Sequence, residues 1–311
     1  MQLNQSSKID FRKQRDFGQL FTEVFRFIKL NFKSILLCVL LIPGPLFLIA
    51  GAFYGYLQAV GSDPSKVVGI GALSDPMSFV SQLISNMLPY FILVVLGSLA
   101  SSATINRFFI LYQEREENNS INVGDIVKYL PHDMWRLFYN GLLLGLVFIL
   151  IMIPIVFLAM IPFLGAMAIV IGLLIMGPQI SYAFIAANYL VLRDKILVTT
   201  AYKKAWNYMS GNFWWTWLIV VCASLVVGIL GFIFNVPMTI LTVAKTFSRI
   251  NQETTDNNSI LYMIVGTIAI FGPQLLRPIT TLFCVLTYHS YEEAQEGSAL
   301  KEKIDQVGMD S

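Results

Sequence analysis

The chain has 311 residues, 56% of them hydrophobic and only 13% charged, with a mean hydropathy of +0.67 and a formal net charge of +2 at pH 7. Soluble domains carry about a quarter charged residues, so there is too little polar side chain here to cover a water-facing globule. The small net charge, spread over loops, offers no basic stripe to track phosphates and argues against nucleic acid as a partner.

Residues 1–33 are polar and charged, with Lys8, Arg12, Lys13, Arg15, Arg26, Lys29 and Lys33 preceding the first apolar run. A lead this long and basic, followed by a run holding Pro43 and Pro45, reads as a retained first span rather than a cleavable signal peptide. Six apolar segments then reach the roughly 20 residues needed to cross a bilayer core: 34–56, 88–112, 137–160, 164–192, 213–234 and 260–288. They are too long and too little alternating for barrel strands, and backbone in lipid must be satisfied within its own segment. The expected fold is therefore an all-α polytopic bundle of six transmembrane helices. Its expected organisation is an N-terminal segment (1–33), a single six-span domain (34–291) and an acidic tail (292–311).

Basic residues recur in the second loop (Arg115, Lys128, Arg136) and the fourth (Arg193, Lys195, Lys203, Lys204), on the side of both termini; the other side has Lys66, Lys245 and Arg249. The positive-inside rule makes both termini cytoplasmic. On the outward side, residues 61–86, with a short amphipathic stretch over 77–84, and residues 245–259 read as polar loops.

Self-similarity runs through the chain. MGPQISYAFIAANYLVLRD, from Met176, aligns without gaps on FGPQLLRPITTLFCVLTYH, from Phe271, and Gly97-Ser98 gives a looser counterpart. EVFRFIKLNFKSI, from Glu23, pairs with KAWNYMSGNFWWT, from Lys204, with a weaker relative in VGDIVKYLPHDMWRLF. These basic, aromatic stretches suit helices lying among headgroups. The expected plan is three parallel units, each an interfacial amphipathic helix followed by a two-helix hairpin. With the ending RPITTLFCVLTYHSYEEAQEGSALKEKI, this plan resembles the bacterial membrane family related to the membrane domain of glycerophosphoryl diester phosphodiesterases. The resemblance implies a fold and a membrane location. That family's hydrolase activity belongs to a separate soluble domain, which these residues do not include.

The sixth run carries an arginine. Arg277 lies 11 residues before Tyr288, about 16 Å along a helix, which places it near the midplane, where a charge costs about 3 kcal/mol. Pro273 and Pro278 each withhold an N–H, freeing a carbonyl one turn earlier that a guanidinium could use, and the residue before a proline resists helical geometry. A helix break is expected at Gly272, Pro273 and Pro278, with Pro278 at the N1 position of a second half-helix, and the repeat carries the same signal to Gly177 and Pro178. Two roles remain open: Arg277, Gln274 and Gln179 satisfy loosened backbone, or they form a ligand site where a half-helix N-terminus and Arg277 attract a lipid phosphate or small carboxylate.

Other chemistry is sparse. No Asp or Glu falls within the six runs, which argues against a carboxylate proton relay, an intramembrane aspartyl protease and carboxylate-bound metal. Arg107 is expected to snorkel. His289, Glu292 and Glu293 have i, i+3, i+4 spacing and read as surface charge at a helix end rather than metal ligands. Cys38, Cys222 and Cys284 fall in separate runs as small hydrophobes, and no metal or cofactor is expected. Ser98, Ser101, Ser102 and Thr104, like Thr280 and Thr281, mark close helix packing. GxSxG, HExxH and GxxxxGK motifs are missing, so an enzyme is the third choice. The first is a non-catalytic scaffold, assembly or membrane-homeostasis factor, with membrane lipids and other membrane or cytoplasmic proteins as partners. The second is a transporter, channel or lipid-handling protein centred on Arg277. The tail from Glu292 reads as a solvated helix or a contact for a soluble partner.

Overall fold

A computed structural model describes residues 8–60, 76–115, 121–159, 161, 164–250 and 258–309. Among these residues the regular elements are all helical: α1 (Phe17–Leu41), α2 (Gly44–Val60), α3 (Pro76–Glu114), α4 (Val123–Val127), α5 (Leu130–Ala159), α6 (Leu164–Arg193), α7 (Val198–Ser210), α8 (Phe213–Ile250), α9 (Ser259–Phe271) and α10 (Arg277–Met309), with a 3-10 turn, Gly272–Leu276, between the last two. Among the described residues five stretches are long and apolar enough to cross a membrane, or six if the bent pair α1 and α2 is counted as one span. The protein is an all-α helical membrane protein.

The first span differs from the expected single helix. It bends by 58° between α1 and α2 because Pro43 and Pro45 withhold the N–H groups that Val39 and Leu41 would have received. Helix α1 also runs unbroken from Phe17 through Ser34, so the amphipathic lead is not a separate element. Before α8 it is separate: α7 buries Val198, Ala201, Ala205 and Met209 at helical spacing and ends at Gly211. Before α5 it shrinks to the short α4. The three related stretches thus take three forms.

Helix α8 extends past residue 234 to Ile250, converting the start of the expected 245–259 loop into helix. Lys245 holds it there, donating to the Ala59 carbonyl (3.1 Å) at the end of α2 and lying 4.9 Å over the Tyr262 ring. Helix α3 begins at Pro76, inside the expected 61–86 loop. Residues 61–75, with Lys66, lie outside the described residues, as do the side chains of 77–84. Residue 292 onward continues α10 to Met309, so the tail is helical.

Contacts group the chain into two compact units: unit 1 (Met1–Ile35, Ile105–Leu225, Pro278–Ser311) and unit 2 (Leu36–Thr104, Val226–Arg277). In unit 1, Phe27 sits among Phe11, Phe109 and Tyr112 at ring distances of 5.8, 5.6 and 4.6 Å, and Leu190, Val285 and Leu286 are buried in the same unit. In unit 2, α2 crosses α9 at backbone contact. A Cβ on Gly51 would meet Thr267 Cα at 2.5 Å, and one on Gly266 would meet the Gly51 carbonyl at 2.7 Å. Only glycine permits that approach. Ser101 and Thr104 are buried, as close helix packing requires.

Candidate functional site

The expected break in the sixth span is mild. Ser259–Gly297 stays one helical segment interrupted by a single 3-10 turn. The carbonyl that Pro278 leaves without a partner, that of Gln274, accepts instead from the backbone N–H of Arg277 in a tighter i, i+3 bond. The guanidinium is not needed there. Helix α10 begins at Arg277 itself, so Pro278 is its second residue rather than its first. Gly272 has a packing role, since a Cβ there would come within 2.7 Å of Phe234 Cβ. Arg277, Gln274 and Pro273 are half-buried.

At Gly177 and Pro178 the expected break is not present: α6 is continuous through both. Pro178 orphans the Leu174 carbonyl, and Trp217 Nε1 of α8 donates to it at 2.9 Å. A side chain from the neighbouring helix replaces the missing backbone bond. Gln179 is fully buried in unit 1, where its Nε2 donates to the Phe213 carbonyl at 2.7 Å, whereas Gln274 and Arg277 belong to unit 2.

The most developed polar site lies in unit 1 and was not assembled from the sequence. Gln179, Tyr182, Ala186, Tyr189 and Arg193 lie on one face of α6 at spacings of three and four, and the first four are fully buried. The sequence carried that signal, a polar stripe at helical spacing within an apolar helix. Gln113 Nε2 donates to the Tyr189 hydroxyl (2.6 Å), which stands 3.0 Å from His289 Nε2. Arg193 Nη1 is also 3.5 Å from His289 Nε2. A guanidinium only donates, so Nε2 bears the lone pair and Nδ1 the proton, 3.1 Å from Glu292 Oε2, though off the angle of a full hydrogen bond. Glu292 also receives Arg193 (2.9 and 3.1 Å), Lys204 (3.3 Å) and the Tyr288 hydroxyl (3.0 Å). His289 and Glu292 are therefore buried network members, correcting the reading as surface charge. Burial by Phe11, 5.8 Å edge-on to the imidazole, comes from a segment far away in sequence. Among the described residues no group of three or more His, Cys, Asp or Glu is placed to hold a metal ion.

Arg107 does not snorkel. Its Nε and Nη2 grip Asp133 at 2.7 and 2.5 Å, with Asp133 only 1% exposed, and its guanidinium lies 4.6 Å over the Tyr129 ring. A bidentate carboxylate in reach outweighs extension toward water.

The N-terminal segment completes the site. Ile9 and Phe11 are buried, and the buried Arg15 donates to the carbonyls of Asp10, Phe11 and Lys13 and pairs with Glu23. Its own N–H donates to Ser290 Oγ at 2.9 Å. Lys8 caps the C-terminus of α3 through the carbonyls of Gln113 (3.0 Å) and Arg115. Between this segment and the ends of α3 and α6 lies a cavity of about 560 Å³ lined by Lys8, Asp10, Arg12, Gln113, Glu114, Tyr189 and Arg193. That volume suits a small ligand.

Compared with family models, curated proteins and solved structures, the chain matches none.

Proposed function

We propose that this chain is a non-catalytic integral membrane protein of the bacterial inner membrane, with both termini cytoplasmic, acting as a scaffold, assembly or membrane-homeostasis factor whose unit 1 engages lipid headgroups. The observation that carries the reading is an exposed basic and aromatic surface on unit 1. Arg26, Lys29 and Lys33 with Phe25 and Phe32 on α1, Trp135 and Tyr139 on α5, Lys203 on α7, and Trp214 and Trp215 on α8 are all exposed. Aromatic rings of this kind settle at headgroup depth, and each nearby Lys or Arg adds about 1 kcal/mol of attraction to an anionic leaflet. Beneath that surface the buried charges satisfy one another, which suits a rigid platform. The three-unit repeat and the relation to the membrane domain of glycerophosphoryl diester phosphodiesterases belong to the same proposal, supported by the number and spacing of apolar helices.

Mild-detergent purification with mass spectrometry of retained lipids and proteins tests the reading. A stoichiometric protein partner and enrichment of anionic lipid are expected. Proteoliposomes that instead carry a saturable solute flux, abolished by Arg277→Lys at unchanged abundance, would overturn it in favour of transport. Reporter fusions at the two ends check the orientation.

A further inference from the structure

We propose that the cavity of unit 1 binds a zwitterionic phospho-ammonium group of the ethanolamine type, either a phospholipid headgroup or the free compound. The inference rests on the reading that unit 1 engages headgroups and names the chemistry that one cavity selects.

Charge on the wall points to a ligand with both signs. Lys8, Arg12 and Arg193 line the cavity together with Asp10 and Glu114. A simple anion would meet two carboxylates, and a simple cation three basic groups. Arg193 contributes little as a ligand, because its guanidinium already faces Glu292, Asp194 and His289. It sets the wall rather than holding the guest. Arg12 is exposed on the cavity lining and can offer its planar fork to a phosphate. Lys8 adds a second positive charge from a fixed position, seated on the α3 carbonyls and 5.8 Å from the Tyr112 ring centroid. Beside them, Glu114 is exposed at the last position of α3, and Asp10, one of whose oxygens accepts the Arg12 N–H at 2.9 Å, supplies further carboxylate oxygen. Phe11 and Tyr189 add aromatic lining, which suits an ammonium.

Depth selects phosphate over other anions. Gln113, Glu114 and Arg193 stand where the apolar runs of α3 and α6 end, the level at which a bilayer places its phosphate and ammonium groups. The cavity is also walled by the N-terminal segment, which Arg15 and Ser290 pin in place.

The test uses the full chain in phosphatidylcholine nanodiscs, with phosphoethanolamine, inorganic phosphate and ethanolamine as soluble probes. In parallel, native mass spectrometry counts phosphatidylethanolamine retained from mixed nanodiscs. Phosphoethanolamine is expected to saturate one site and to bind at least about tenfold more tightly than either half alone. Arg12→Gln and Glu114→Gln, both at exposed positions, are each expected to weaken it by roughly tenfold or more, the loss of one charge-assisted hydrogen bond, with melting unchanged. Retained phosphatidylethanolamine lost in both variants assigns the site to headgroups; saturable binding of the soluble probe alone assigns it to the free compound. Inorganic phosphate binding as tightly as phosphoethanolamine, binding that both variants keep, or no binding in either arm overturns the inference. Enrichment of anionic lipid that persists in both variants would leave the proposed function standing while this inference fell.

Discussion

Replacing Gly55 by alanine drives a methyl group into the backbone of α9. The added Cβ would lie 2.6 Å from Met263 Cα and closer still to the Tyr262 carbonyl, whereas ordinary contact begins at 3.4 Å. The shortfall is about 0.8 Å at Met263 Cα and larger at the Tyr262 carbonyl, so the helices must separate by more than that. Neither obstacle is the end of a flexible side chain, so rotamer change gives no relief. Overpacking costs about 1–3 kcal/mol, and a gap of 0.5–1 Å forfeits about a quarter to a half of the dispersion well for the atoms that part. Around Gly55 those atoms include Gly51, Gly266 and Thr267, so a loss near about 3 kcal/mol is expected. The control is Gly172→Ala, where a Cβ meets nothing within 4 Å. Thermal unfolding in detergent should show a clear fall in melting temperature for Gly55→Ala and none for Gly172→Ala. Equal melting of Gly55→Ala and the unsubstituted protein would refute backbone contact between α2 and α9.

Trp217→Phe strips the donor from the Leu174 carbonyl and should cost about 1–3 kcal/mol in a melting assay; adding Pro178→Ala restores a backbone N–H to that carbonyl and should recover much of it. Arg107→Ala and Asp133→Ala should each cost about 3–5 kcal/mol by leaving a buried charge alone, while the double variant loses clearly less than their sum in a double-mutant cycle. Asp125 is held below its ordinary value first by the Asn122 backbone N–H, 3.0 Å from Oδ2, and then by Arg115. Its lowered folded value means that its small contribution is full above about pH 4 and fades as pH falls through that lower value. The stability gap to Asp125→Asn should therefore narrow on acidification, as melting curves across pH would show.

The proline and arginine positions separate what was legible from what was not. Sequence alone established that lipid is the solvent, because an apolar run of twenty or more residues has no other favourable environment, and it located the apolar part of each span, although α1, α3 and α8 run well beyond the limits read from it. It also located the residues with special backbone demands. It did not settle what those demands would do. Pro43 interrupts and bends its span, yet α6 runs unbroken through Pro178, where an indole from a neighbouring helix satisfies the freed carbonyl. The GAFYG stretch at Gly51 to Gly55 carried a close-packing signal, but its partner, α9, comes from some two hundred residues later.

The charged groups follow the same division. Periodicity places His289 and Glu292 on a helix end and Arg107 near the limit of another, and at that level each reads as a surface group. Burial was decided by Phe11, Arg193, Asp133 and the N-terminal segment, brought in from distant parts of the chain. Local sequence determines the cost of taking a residue out of water or out of a helix. Tertiary structure supplies or withholds the partner that offsets that cost, and that partner is a matter of distance in space rather than along the chain.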